Sequence, residues 1–145
     1  MLRCLLLFLL LGATLAHADD EIWSAMILAS NPPAGQEATP PPAELIPYAQ
    51  RLTKALNYEQ FEILGSASKS IGARQQERWL VPSPTFMLGV QAKPDGGGYR
   101  ITLELFQEKR RLLQTQARLG LQSPLFISGP RHAKGQLIIA FEIRR

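Results

Sequence analysis

The stretch Phe86-Met-Leu-Gly-Val-Gln-Ala-Lys-Pro-Asp-Gly-Gly-Gly-Tyr-Arg-Ile-Thr-Leu-Glu-Leu105 decides the fold. Phe86, Leu88, Val90 and Ala92 alternate with small or longer side chains. Tyr99, Ile101, Leu103 and Leu105 repeat the alternation beyond Asp95-Gly96. A period of two puts each set on one face of a strand. Asp-Gly is a favoured two-residue hairpin turn because it accepts the positive φ that a type I′ turn demands. A turn at 95–96 pairs 94 with 97 and sets Ala92 opposite Tyr99, Val90 opposite Ile101, Leu88 opposite Leu103 and Phe86 opposite Leu105. Every apolar residue then meets an apolar partner, so turn chemistry and hydrophobic pattern agree on an antiparallel hairpin.

Strand-like patterns continue on both sides of this hairpin. Upstream, Trp79-Leu80-Val81 is a short strand ended by Pro82 and Pro84. Downstream, Leu113, Ala117 and Leu119 have to share the face of Leu103 and Leu105. That parity requires three or five loop residues around Glu108 to Arg111, or a bulge. Pro124 opens a short run, Leu125 to Ser128, and a predicted loop, Gly129 to Gly135, leads to the last strand. There Leu137, Ile139, Phe141 and Ile143 form an inward face, with Ile138, Ala140 and Glu142 opposite.

The N-terminal half is built differently. Ile22 to Ala29 is an apolar run without glycine or proline, and it reads as a mostly buried strand. Residues 31–42 hold five prolines and form an extended surface connection, the alternative being a proline-rich ligand for a partner groove. Leu45, Tyr48 or Ala49, Leu52, Ala55 and Leu56 then recur at three and four, the stripe of an amphipathic helix. Pro47 falls in its first turn, where a missing N–H matters least, and Asn57 is suited to a left-handed stop. Tyr58 to Leu64 returns to a strand pattern, and 65–76 is loop or edge structure. One helix, one apolar sheet face and a polar outer face predict an α+β domain: an antiparallel meander sheet of five to seven strands with the helix on one face. A β-sandwich with an inserted helix is the alternative.

The composition places this domain in a compartment. The 145 residues are 46% hydrophobic, with sixteen Lys+Arg against twelve Asp+Glu. Met1 to Ala18 has the parts of a secretory signal peptide: Arg3, the apolar run Leu5–Leu11, and Ala16-His17-Ala18 before Asp19-Asp20. The apolar stretch is short for a spanning helix, which needs about 20 residues. Cleavage after Ala18 leaves a single domain over 19–145 with no transmembrane segment. It removes one cation and no acid, which leaves a net charge of +3, and it discards Cys4, which precedes the apolar run and so cannot be a lipid-bearing first residue. An exported domain without disulfides and without an Asn-x-Ser/Thr site points to a bacterial periplasmic or secreted protein. Export and the modest charge argue against nucleic acid as a partner, as does the lack of a basic helical stripe or of aromatic residues interleaved with basic ones.

Catalytic equipment is sparse. His132 is the only histidine left after cleavage, so a nucleophile–base pair or a zinc site has almost nothing to draw on. Gly96-Gly97-Gly98 precedes a strand, whereas a phosphate loop needs a helix behind it. No cofactor is expected. The candidate sites are two charged loops: Arg131, His132 and Lys134 within Gly129–Gly135, and Lys109, Arg110 and Arg111 at the preceding turn. Either can hold an anion or a partner's carboxylate; either can also be a solvated tip that guards a sheet edge. If both lie at one end, with Arg144-Arg145 near, they form a basic rim.

The run Leu56-Asn57-Tyr58-Glu59-Gln60-Phe61-Glu62-Ile63-Leu64-Gly65, with Ile127-Ser128-Gly129-Pro130 and Gly135-Gln136-Leu137-Ile138-Ile139-Ala140, resembles small exported bacterial proteins without an assigned function. The resemblance implies export and assigns no residue a role. The expectation is a periplasmic, non-catalytic module that binds a protein partner in the cell envelope or contributes to an envelope assembly, with an anionic envelope polymer as another partner. A hydrolase of envelope polymers and a binder of small apolar ligands between helix and sheet are the competing functions.

Overall fold

A run that is apolar on both faces of a strand, rather than at every second position, needs cover on both faces. The computed structural model, which describes residues 19–72 and 75–145, shows how Ile22–Ala29 obtains it. The run lies in β1 (Asp20–Ser30), a central strand that pairs antiparallel with β2 (Gln60–Ile71) on one side and with β8 (Gly135–Arg144) on the other. With β7 (Leu125–His132) they form a four-stranded sheet in the order β2-β1-β8-β7. The second sheet is a four-strand meander in the order β3 (Glu77–Pro82), β4 (Phe86–Asp95), β5 (Gly98–Gln107) and β6 (Arg110–Leu119). The predicted leader, 1–18, lies outside the described residues.

The two sheets face each other across one core. Ile22, Met26, Leu137, Ile139 and Phe141 from the first sheet pack with Val81, Leu88, Val90, Ile101, Leu103 and Leu105 from the second. The α+β class holds. The single meander of five to seven strands does not, because the strands divide into two sheets, as in the alternative with an inserted helix. That helix, α1 (Ile46–Leu56), follows a single 3-10 turn at Ala43–Leu45 and covers the outer face of the first sheet. Leu45 and Leu52 are buried there against Trp23, Ala25, Ile27, Phe61, Ile138 and Ala140. β1 and β8 are therefore apolar on both faces because one faces the second sheet and the other faces α1. Pro47 stands at the helix start, and Asn57 ends it in the left-handed region at φ 59° with its N–H bonded to the Thr53 carbonyl at 3.0 Å.

The proline-rich segment is an exposed connection, as its composition predicts. It is tied back at both ends. Glu59 N–H donates to Asn31 Oδ1 at 3.0 Å and Thr39 N–H to Gln60 Oε1 at 3.1 Å. The 65–76 segment is edge structure for most of its length, since β2 runs on to Ile71; residues 73–74 lie outside the described residues.

Two details of the strands, the β4–β5 turn and the extent of β7, correct the sequence-based expectation, and a third, at the β5–β6 turn, takes the bulge among the expected alternatives. The β4–β5 turn is Gly96-Gly97, not Asp95-Gly96, and Asp95 pairs with Gly98. Both glycines have positive φ, 54° and 84°, which a type I′ turn requires at both central positions and which aspartate adopts less readily. The register moves by two, so Leu88 meets Leu105, Val90 meets Leu103 and Ala92 meets Ile101, and each apolar set keeps its face. At the β5–β6 turn the loop has two residues, and a bulge at Leu105/Phe106 restores the parity, bringing Leu113 opposite Leu105 and Ala117 opposite Ile101. The predicted loop Gly129–Gly135 is mostly strand: β7 continues to His132 and only Ala133-Lys134 turn. Pro130 fits because β7 is an edge strand with a register shift between Ser128 and Arg131, where a missing N–H leaves no ladder bond broken.

Candidate functional site

Antiparallel pairing sends alternate turns to opposite ends of the molecule. The β5–β6 turn, with Lys109, Arg110 and Arg111, and the β7–β8 turn, with Arg131, His132 and Lys134, come to the same end. Phe86 joins them. It pairs with Gln107 beside the first turn, and its ring meets the His132 ring edge-on, with centroids 4.8 Å apart and planes at 79°. The two candidate loops of the sequence thus belong to one surface, contributed by both sheets.

This end is short of compensating charge. From Lys109 to Phe141 the chain contains no aspartate or glutamate, a gap legible in the sequence but not singled out there. Arg111 lies 3.7 Å from Glu104, an exposed pair of little energetic weight. Among the described residues, Lys109, Arg110, Arg131 and Lys134 have no carboxylate within 4.0 Å. His132 is part-buried against Phe86, so its ring props the surface while Arg131 and Lys134 are exposed on it.

Arg144 and Arg145 do not join this rim. They lie at the opposite end, where β1 begins and β8 finishes. The Arg144 guanidinium rests over the Trp23 ring, 4.5 Å from its centroid, and Arg145 Nε donates to Asp20 Oδ1 at 3.1 Å. At the same end Arg118 donates to the Asp95 and Gly96 carbonyls at 3.1 and 3.0 Å and so ties down the glycine turn. Cations here hold structure, whereas at the other end, among the described residues, Lys109, Arg110, Arg131 and Lys134 pair with no carboxylate.

Asp20 also accepts a hydrogen bond from the Tyr99 hydroxyl at 2.8 Å. Burial, then that bond and the Asp20 charge, push the Tyr99 phenol up to about 12. A raised pKa favours the protonated form in the fold. The stabilising contribution is therefore complete below pH 10, the ordinary tyrosine value, and is lost as pH rises through about 12. The variant Y99F lacks the bond at every pH. It is expected to be less stable than the parent by about 1 kcal/mol at pH 7–9. The gap should close between pH 10 and about 12, as urea midpoints across that range will record.

The ring packed against His132 is that of Phe86. Among the described residues no three His, Cys, Asp or Glu side chains come together as a metal site would require. Several concavities among the described residues are open surface grooves. One of about 500 Å³ lies over Gly89 between Leu80, Thr102, Glu104 and Phe106, and one of about 550 Å³ lies beneath the proline-rich segment beside Phe61 and Glu62. A smaller one of about 240 Å³ runs between α1 and β7, lined by Leu52, Leu56, Phe126 and Ile138. Aromatics that a small apolar ligand would need, Tyr48, Tyr58 and Trp79, are occupied with protein. Tyr48 donates to Glu142 and packs edge-on to Phe126, and burial followed by the Glu142 bond holds its phenol above the ordinary value. Trp79 Nε1 donates to Ser24 Oγ at 2.9 Å, and Tyr58 packs beneath the helix. Among the described residues no helix is long and apolar enough to cross a membrane. The chain matches no protein-family model, no curated protein and no solved structure.

Proposed function

We propose that this protein is an exported, non-catalytic binding module of the bacterial envelope, and that it grips an acidic surface of a protein partner with the end built from the β5–β6 and β7–β8 turns. One observation carries the proposal: two turns distant in sequence deliver Lys109, Arg110, Arg131 and Lys134 to one end, where, among the described residues, none of the four has a carboxylate within 4.0 Å and Glu108 is the one acid of the turns themselves. Unpaired cations on rigid hairpins lose little freedom when they meet a partner's carboxylates, and they steer its approach. The leader read from Met1–Ala18 supplies the compartment, and a core filled between two sheets supplies the scaffold.

The test is capture from an envelope fraction by the mature protein and by a variant with Lys109, Arg110, Arg131 and Lys134 all changed to glutamate. Capture is expected to fall at least tenfold, roughly 1.4 kcal/mol in affinity. It should also weaken steeply with salt, since the Debye length is about 8 Å at physiological ionic strength. The four positions are exposed, so the variant should keep its unfolding midpoint within a few degrees. Undiminished capture by the reversed variant would remove this end as the contact. Competition by an isolated anionic envelope polymer, with no protein recovered, would replace the protein partner with the polymer.

A further inference from the structure

The two seams between the sheets are unlike. Where β2 meets β3, the chain is stapled. The Ser24 hydroxyl, fully buried on β1, accepts from Trp79 Nε1 of β3 at 2.9 Å and donates to the Ala67 carbonyl of β2 at 3.1 Å. The backbone of Gly65 approaches the Pro82 carbonyl so closely that a Cβ there would lie 2.1 Å from its oxygen. No comparable staple joins β6 to β7, and no ladder pairs them. Leu119, at the end of β6, is fully buried, but along most of this seam the inward residues are half-buried: Leu113 and Ala117 on β6, Leu125 and Ile127 on β7. Their ladder partners Leu105, Ile101, Phe141 and Ile139 are each 0% exposed. The seam is an apolar slot between two strands whose outer backbone edges are unpaired.

The two edges are not equally able to accept a strand. β7 carries Pro130 and a register shift within the strand, devices that blunt an edge, whereas the shift in β6 falls at Leu112 near its start and leaves Leu113 to Leu119 in regular register. β6 runs from Arg110 to Leu119 without proline, glycine or any acidic residue, and Arg110, Arg111 and Arg118 stand near its ends. Charge selects the occupant. A two-fold pairing of β6 with the same strand of a second copy over its full length sets Arg111 opposite Arg118 twice, and like charges directly opposite are destabilising. Arg111 and Arg118 already have exposed partners on the β5 side, Glu104 at 3.7 Å and Asp95 at 4.0 Å. But β6 itself carries cations and no acid, so a strand with carboxylates on its outward face meets its net positive charge favourably, while apolar residues at alternate positions cover Leu113 and Ala117.

We infer that β6 is a strand-addition site for an extended segment of a partner protein that alternates apolar and acidic residues. Main-chain hydrogen bonds would supply affinity, and the alternation would supply register. The inference deepens the proposed function, resting on its acidic partner and naming how that partner's chain is held.

The probe is the peptide acetyl-(Val-Glu)4-amide, with two analogues N-methylated on all valines or on all glutamates. In an added strand the amides of alternate residues point to the neighbouring edge. The parent peptide is therefore expected to bind and to slow amide hydrogen exchange in β6. One methylated analogue should bind at least tenfold more weakly, with the other nearly unchanged. Equal binding by both analogues and the parent would overturn strand addition while leaving an electrostatic grip by the basic end intact. Absence of parent binding, or exchange protection confined to residues outside β6, would overturn it as well. The envelope-capture comparison decides the proposed function separately, since it needs no pairing at β6.

Discussion

Replacing Phe141 with alanine is expected to lower the unfolding free energy by about 3–5 kcal/mol. Phe141 is fully buried on β8, on the face turned toward the second sheet, and it shares the core with Leu103, Leu105 and Leu88. The cost has two parts, the lost transfer of the ring from water and the void left between two sheets already held at fixed spacing by their ladders. Urea unfolding followed by tryptophan fluorescence measures it, and a fall in melting temperature of about 10–20 °C should accompany it in a domain this size. A loss under about 1 kcal/mol would mean that the sheets do not close on each other at this point.

Substituting Gly65 by alanine should cost about 1–3 kcal/mol, in spite of alanine's better intrinsic behaviour in strands. The added methyl would lie 2.1 Å from the Pro82 carbonyl oxygen and 3.3 Å from Ser83 Cβ, so β2 and β3 must part to admit it. Parting them stretches the Trp79–Ser24 hydrogen bond, whose acceptor is the one buried polar side chain of the described core. Gly120, at the β6–β7 side, is the control. A Cβ there meets nothing within 4 Å, and G120A is expected to stay within about 0.5 kcal/mol of the parent. Equal costs at the two positions would contradict the difference between the seams.

The hairpin at the middle of the chain shows how far periodicity reaches. Alternation alone assigns Leu88, Val90, Ile101 and Leu103 to one face, and they share it in the structure. The choice between Asp95-Gly96 and Gly96-Gly97 is finer, because it turns on which residue accepts positive φ. A shift of one turn residue moves the register by two and leaves every face unchanged. At the β5–β6 turn the parity of Leu113 and Ala117 required either an odd loop or a bulge, and the bulge at Leu105/Phe106 supplies it. At Gly129-Pro130 composition misleads. Glycine and proline suggest a loop, yet an edge strand with a register shift tolerates both.

The candidate site divides along the same line. Each basic cluster is legible as residues, and so is the absence of acids from Lys109 to Phe141. Their union at one end, and the exclusion of Arg144 and Arg145 from it, depend on which strand lies beside which.

The sequence by itself determined the central part of most strands and of the helix, which face of each is apolar, and which residues carry charge at the turns. Those properties follow from backbone geometry and repeat every two or three to four residues. Only the tertiary structure decided that β1 joins β8 from the far end of the chain, that the strands form two sheets, and that one seam is stapled while the other is open. Such pairings depend on contacts between distant residues. An apolar face specifies burial without naming its cover, and many partners satisfy it equally until the whole chain closes.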